Sequence, residues 1–68
     1  MPTCNDVCEG VITLYVKYKR PVSIDEIADF LGTSSSVIRQ FVVTYLQLGI
    51  LEGAETGLQP GPAMGLYS

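Results

Sequence analysis

Residues 34–51, SSSVIRQFVVTYLQLGIL, constrain this chain more than any other stretch. Three serines able to cap a helix precede an apolar ladder at helical spacing, and Gly49 closes the ladder with an apolar pair beyond it. Just upstream, SIDEIADFLGTSS reads as a shorter helix and a tight turn. Ser23 caps that helix, Glu26 three residues on completes a capping box, and Ile27, Ala28 and Leu31 give it a buried face. Gly32 suits a left-handed position at its end. Two helices joined by a short glycine-containing turn, the second the longer, have the form of a helix-turn-helix.

The remaining chain fits around that pair. A first helix is expected over residues 5–20, capped by Asn5 or Asp6, with Cys8, Val11, Ile12 and Tyr15 toward the core and Leu14 and Tyr18 partly off that stripe. Pro21 stops it and Val22 makes an extended step. The second helix spans 23–32 and the third 34–48, whose core spacing runs through Ile38, Val42, Tyr45 and Leu48 or Gly49. Val37, Phe41, Val43 and Leu46 lie off that spacing, and Arg39 is the helix's one charge, so the third helix is apolar nearly all round. Residues 50–60 read as a wing: Ile50-Leu51-Glu52 outward, a turn over 53–57, and Leu58-Gln59 returning to Pro60. The tail, 61–68, carries a weak helix start at Pro62. The fold class is mainly α with a small β-wing, a single three-helix domain over 1–68.

Composition bears on the partners. In 68 residues a core is marginal, yet 47% of the residues are hydrophobic and 16% charged, more apolar side chains than so small an interior hides. Leu14, Phe30, Phe41 and Leu46 are the candidates for an outward interface, and a homodimer is expected; the alternative is that the wing folds back over part of the third helix. The net charge of −3 is opposite to that of a dedicated nucleic-acid binder. Lys17, Lys19 and Arg20 are three of four cations and suit the dipole at a helix C-terminus. Cys4 and Cys8, one turn apart, are badly placed for a disulfide and have no further ligand for a metal; Cys8 reads as core. With no histidine, no base beside either cysteine, and Asp25, Glu26 and Asp29 on a solvated helix face, the chain reads as no enzyme and as needing no cofactor. It shows no signal peptide and no membrane-spanning run, so a cytoplasmic, soluble protein is expected.

Tyr15, Pro21-Val22, Ile27-Ala28, Leu31-Gly32, Ser34-Ser35, Ile38-Arg39, the run Leu48 to Glu52, and Gly57-Leu58-Gln59-Pro60 give the chain a further likeness. From Val7 to Glu52 it resembles the winged-helix domain at the N-terminus of the heat-inducible transcription repressors, and archaeal winged helices that precede cystathionine-β-synthase-type domains. The resemblance implies a third helix with its N-terminal half in the DNA major groove, the second helix at the backbone and the wing toward the minor groove. It would set Ser34, Ser35, Ser36, Arg39 and Gln40 against DNA, with Thr44 a lesser candidate. Arg39 suits guanine edges, Gln40 adenine, and the serines phosphate oxygens. The chain departs from the family in Asp25 and Glu26 near the phosphate position, in Glu52, Glu55 and Gln59 on the wing, and in Phe30, Phe41 and Leu46 where the repressors are polar.

Two readings follow. One is a DNA-binding domain of a transcription regulator, a dimer or attached to a larger sensor protein, with weak, salt-sensitive affinity for duplex DNA. The other is a winged helix used for protein–protein association with little or no DNA binding. They differ in whether Arg39, Gln40 and the serines share a face with the basic cluster or with carboxylates.

Overall fold

The computed structural model describes residues 3–64. Three helices, α1 (Cys4–Tyr18), α2 (Ile24–Leu31) and α3 (Ser35–Leu48), are followed by a hairpin of β1 (Leu51–Ala54) and β2 (Gly57–Pro60). The strands are antiparallel, with Leu51 opposite Pro60 and Ala54 opposite Gly57, so only Glu55 and Thr56 form the turn. That turn is tighter than the 53–57 loop expected from sequence. Val22 adds a bridge to Leu58, its N–H donating to the Leu58 carbonyl at 2.9 Å, so the segment between α1 and α2 extends the wing sheet by one residue. The fold is a winged helix.

Each helix start has a chemical cause. Ser23 and Glu26 form the expected capping box on α2, and Ser34 caps α3 by accepting the Val37 N–H. On α1 the cap is Thr3, not Asn5 or Asp6: Thr3 accepts the Asp6 N–H and Asp6 returns to the Thr3 N–H. Asp6 is therefore the far member of a capping box three residues earlier than the one expected. At the other ends Gly32 and Gly49 take left-handed φ, as the sequence indicated, while α1 ends on Lys19, a non-glycine at φ 56°.

The core joins Val7, Val11 and Leu14 of α1 to Ile24, Ile27 and Ala28 of α2, Ile38, Val42 and Tyr45 of α3, and Ile50, Leu51 and Leu58 of the wing. Leu14, expected at an outer interface, is only 2% exposed and belongs to this core. The buried stripe of α1 runs through Gly10. Val7, Gly10, Val11 and Leu14 form the buried i, i+3, i+4, i+7 stripe, and a Cβ on Gly10 would sit 3.5 Å from the Phe30 ring and 3.7 Å from Leu31. Those are ordinary van der Waals distances, so the position has room for a methyl group; glycine simply offers no apolar side chain for a hydrophobic pattern to register. The stripe is turned accordingly, leaving Ile12 and Tyr15 half-buried. Phe41 and Leu46 pack half-buried against the core, whereas Leu48, a core candidate, is 53% exposed. Of the tail, the Gly61 N–H donates to the Ile50 carbonyl and the Ala63 N–H to that of Gly49, and Met64 is buried. The remainder of the suggested tail helix lies outside the described residues.

Candidate nucleic-acid interface

Helix geometry divides the surface of α3. At about 100° per residue, the positions opposite Ile38, Val42 and Tyr45 are Ser36, Gln40 and Val43. All three are exposed. Ser35 and Arg39 lie on one flank of this strip, toward α2 and the wing, and Thr44 lies on the other. Ser34, Ser36, Arg39 and Gln40 therefore do lie on one accessible side of the helix N-terminal half, with Ser35 half-buried beside them. Thr44 turns away: its hydroxyl donates to the Gln40 carbonyl at 3.4 Å, and its side chain borders a cavity against α1. Val43 is 48% exposed within this strip, a placement that follows from its angle to the core stripe and not from the number of apolar residues on the helix. A methyl-bearing side chain there suits contact with a thymine methyl group.

The flank facing α2 and the wing carries carboxylates. The Ser35 hydroxyl donates to Asp25 Oδ1 at 2.6 Å, and Arg39 Nε donates to Glu55 Oε1 at 3.0 Å. Glu55 is held there by the scaffold, because its backbone carbonyl accepts the Ile24 N–H in the first turn of α2 at 3.0 Å. The basic cluster is partly engaged as well. Arg20 donates to both carboxylate oxygens of Glu26, at 3.0 and 2.7 Å, and to the Pro21 carbonyl, while its guanidinium lies 5.0 Å from the Tyr18 ring centroid. The hydrogen bond from Arg20, joined by the one from the Ser23 N–H, holds the Glu26 carboxyl well below its usual range, at about 2. The same contact raises the Arg20 guanidinium above its ordinary value.

The first turn of α3 contains no acidic residue, so the partial positive charge of its N-terminus is not offset by its own side chains. An anion presented to Ser34, Ser36 and Arg39 would meet that dipole, two hydroxyls and one guanidinium. It would also meet Asp25 and Glu55. Among the described residues no group of three or more cysteine and carboxylate side chains gathers as a metal site, and no helix is long and apolar enough to cross a membrane.

Of the interface candidates, Phe30 is 51% exposed, Phe41 and Leu46 are half-buried, and Leu14 is internal. The Phe41 ring leans on Tyr45 with centroids 6.1 Å apart, so its burial is partly accounted for within α3.

Comparison with known proteins bears on the domain as a whole. The chain matches, over residues 1–67, the family described as winged helix-turn-helix transcription repressor, HrcA DNA-binding. Searches of curated proteins and of solved structures gave no significant match. That family is one of transcription-repressor DNA-binding domains and not of enzymes, and its match takes in all three helices and the wing. The chain belongs to the HrcA winged-helix DNA-binding domain family.

Proposed function

We propose that this chain, one domain over 1–68, binds duplex DNA as the reading head of a cytoplasmic transcription regulator, with the N-terminal half of α3 in the major groove. The observation that carries the reading is the state of Arg39. It is exposed, it projects beside the Ser36–Gln40–Val43 strip, and a single hydrogen bond to a half-exposed carboxylate holds it. Such a contact is weak enough to be exchanged for a phosphate oxygen or a guanine edge. Ser35 can likewise leave Asp25 for a phosphate. Gln40 supplies paired donor and acceptor groups for adenine, and Ser34 and Ser36 stand at the helix N-terminus where a phosphate is best received. Thr44 is a lesser contributor, being on the far flank. Because Asp25 and Glu55 remain close by and the net charge is −3, the affinity of one copy for random DNA is low and depends steeply on salt. A homodimer, or attachment to a larger sensor, doubles or anchors the contacts.

The test is a titration of fluorescent random-sequence duplex DNA at low and moderate salt, with oligomeric state recorded in the same samples. Binding that appears at low salt, weakens steeply with added salt and falls roughly 5- to 100-fold in Arg39→Ala is the expected outcome. A dimer that leaves the DNA unbound at low salt defeats the reading. In that event the second reading stands, a protein-association surface, favoured by the exposed Phe30, Val43 and Leu48 side chains and the carboxylates on the α3 flank.

A further inference from the structure

The two arginines that meet carboxylates use different ends of their guanidinium groups. Arg20 gives Nη1 and Nη2 to the two oxygens of Glu26, so its paired end is closed. Arg39 gives Nε to Glu55 Oε1 at 3.0 Å, and among the described residues its Nη1 and Nη2 make no hydrogen bond. A guanidinium carries five N–H donors in one rigid plane, and its Nη1–Nη2 end is an edge that spans two neighbouring acceptors. In duplex DNA the major-groove edge of guanine, O6 and N7, presents such a pair.

The carboxylate at Nε is placed independently of α3. Glu55 is one of the two residues of the wing turn, and its backbone carbonyl accepts the Ile24 N–H of α2 at 3.0 Å. It therefore reaches Arg39, sixteen residues away in the chain, from a point fixed by the wing and α2. For an arginine beside a reading face this has two effects. The bond at Nε restricts a long side chain before DNA arrives, so less conformational freedom is lost on contact. The carboxylate also offsets the guanidinium charge. A phosphate brought to Arg39 either sets a second anion beside Glu55 or displaces Glu55 from Nε. A guanine edge is neutral and takes Nη1 and Nη2 with the Nε bond intact.

We propose that Glu55 is a specificity-determining positioning residue: from the wing turn it holds Arg39 by Nε and presents the open Nη1–Nη2 end to guanine in preference to phosphate. The inference rests on the DNA-binding reading above and adds to it the base that Arg39 selects and the residue that makes it selective.

The test is selection from a pool of duplexes with a randomised core, at low salt and with the full chain, while anisotropy gives the affinity for the unselected pool. The wild type should enrich guanine at one or more core positions by roughly 5- to 100-fold over the other bases. Arg39→Ala should abolish that enrichment. Glu55→Ala removes an exposed side chain and leaves the backbone bond to Ile24. It should bind the unselected pool about three- to fivefold more tightly than the wild type, with guanine enrichment reduced to within about twofold. Glu55→Gln loses the charge but keeps an oxygen able to accept from Nε, so its pool affinity should match that of Glu55→Ala while its guanine enrichment lies between that variant and the wild type. Guanine enrichment that survives Glu55→Ala or Arg39→Ala overturns the proposal and leaves the DNA-binding reading standing. So does wild-type binding to the pool without guanine enrichment, or equal enrichment in Glu55→Ala and Glu55→Gln, which would assign the effect to charge alone. A wild type that leaves the pool unbound at low salt defeats the DNA-binding reading, and the proposal with it.

Discussion

The turn into α2 and the cleft between α3 and the wing each hold an arginine against a glutamate, and the two pairs are built differently. Arg20 meets Glu26 through two hydrogen bonds, donates a third to Pro21, and finds Glu26 already fixed by the Ser23 cap. Every partner is within six residues, so the end of α1, the turn and the first turn of α2 determine the geometry. Arg39 reaches Glu55 across sixteen residues by one hydrogen bond, with both side chains about half exposed. Held in three directions, the first pair is part of the scaffold. The second contributes little, within the roughly 0–1 kcal/mol typical of surface pairs. Its arginine is therefore available to another anion.

The largest effect is expected from breaking the wing that brings Glu55 to Arg39. Gly53 has φ +105°, a conformation side chains rarely adopt, and a Cβ there would run into the Gly57 carbonyl oxygen. Gly53→Ala should cost about 2–3 kcal/mol in urea unfolding. It should also release the Glu55 carbonyl from Ile24. Unchanged stability would mean that the hairpin shifts freely and that Glu55 is not positioned by it. Ser23→Ala tests the other pair, since it removes the hydroxyl that caps α2. A loss of about 1 kcal/mol is expected, or a fall in Tm of roughly 4–8 °C for so small a domain. A fall under about 1 °C would show that the Ser23 hydroxyl adds little to the start of α2 beyond the backbone N–H that still reaches Glu26.

Glu55→Gln sharpens the contrast through binding. Neutralising that carboxylate should raise affinity for duplex DNA about three- to fivefold at low salt by anisotropy, with stability changed by no more than roughly 0.5 kcal/mol. Glu26→Gln should do the reverse, lowering stability and leaving DNA affinity within about twofold once the protein is folded. Equal gains in affinity from both substitutions would remove the distinction and point to net charge alone.

What was legible in sequence follows the same division between local and non-local chemistry. The Ser23–Glu26 capping box, the Ser34 cap, the left-handed Gly32 and Gly49, and the buried Ile38, Val42 and Tyr45 all depend on residues a turn or two apart, and the structure has each of them. The face of α1 was not legible, because its buried stripe passes through Gly10, which has no apolar side chain to mark it, while Cys8, Val11, Ile12 and Tyr15 offer a second stripe at the same spacing. Leu14 changed sides for that reason. On α3 the acidic residues near the reading face could be named from sequence, but not paired. Which carboxylate reaches Ser35 and which reaches Arg39 is decided by how the two-residue turn sets the wing tip on α2. The cavity that Thr44 borders was hidden for the same reason, since its walls come from α1, α3 and the wing.

The smallest effect expected is a dependence on pH, and its sign follows from the scaffold pair. Glu26 has its carboxyl lowered from the ordinary 4.5 to about 2, first by the Arg20 hydrogen bond and next by the Ser23 N–H. A depressed pKa means that the folded protein binds the proton less well than the unfolded chain, so this contribution is fully present above about pH 4.5 and is lost as pH falls from there toward 2. All seven carboxylates of the chain can add to acid unfolding, so the difference between variants carries the information. Urea midpoints should fall less between pH 5 and pH 2.5 in Glu26→Gln than in the wild type, because glutamine cannot take up the proton. Arg20→Ala should lie between them, since the Ser23 N–H still favours the ionised form. If Glu26→Gln and the wild type fall in parallel, Glu26 is not held by its partners in solution, and the contrast between a fixed and an exchangeable pair fails at its fixed end.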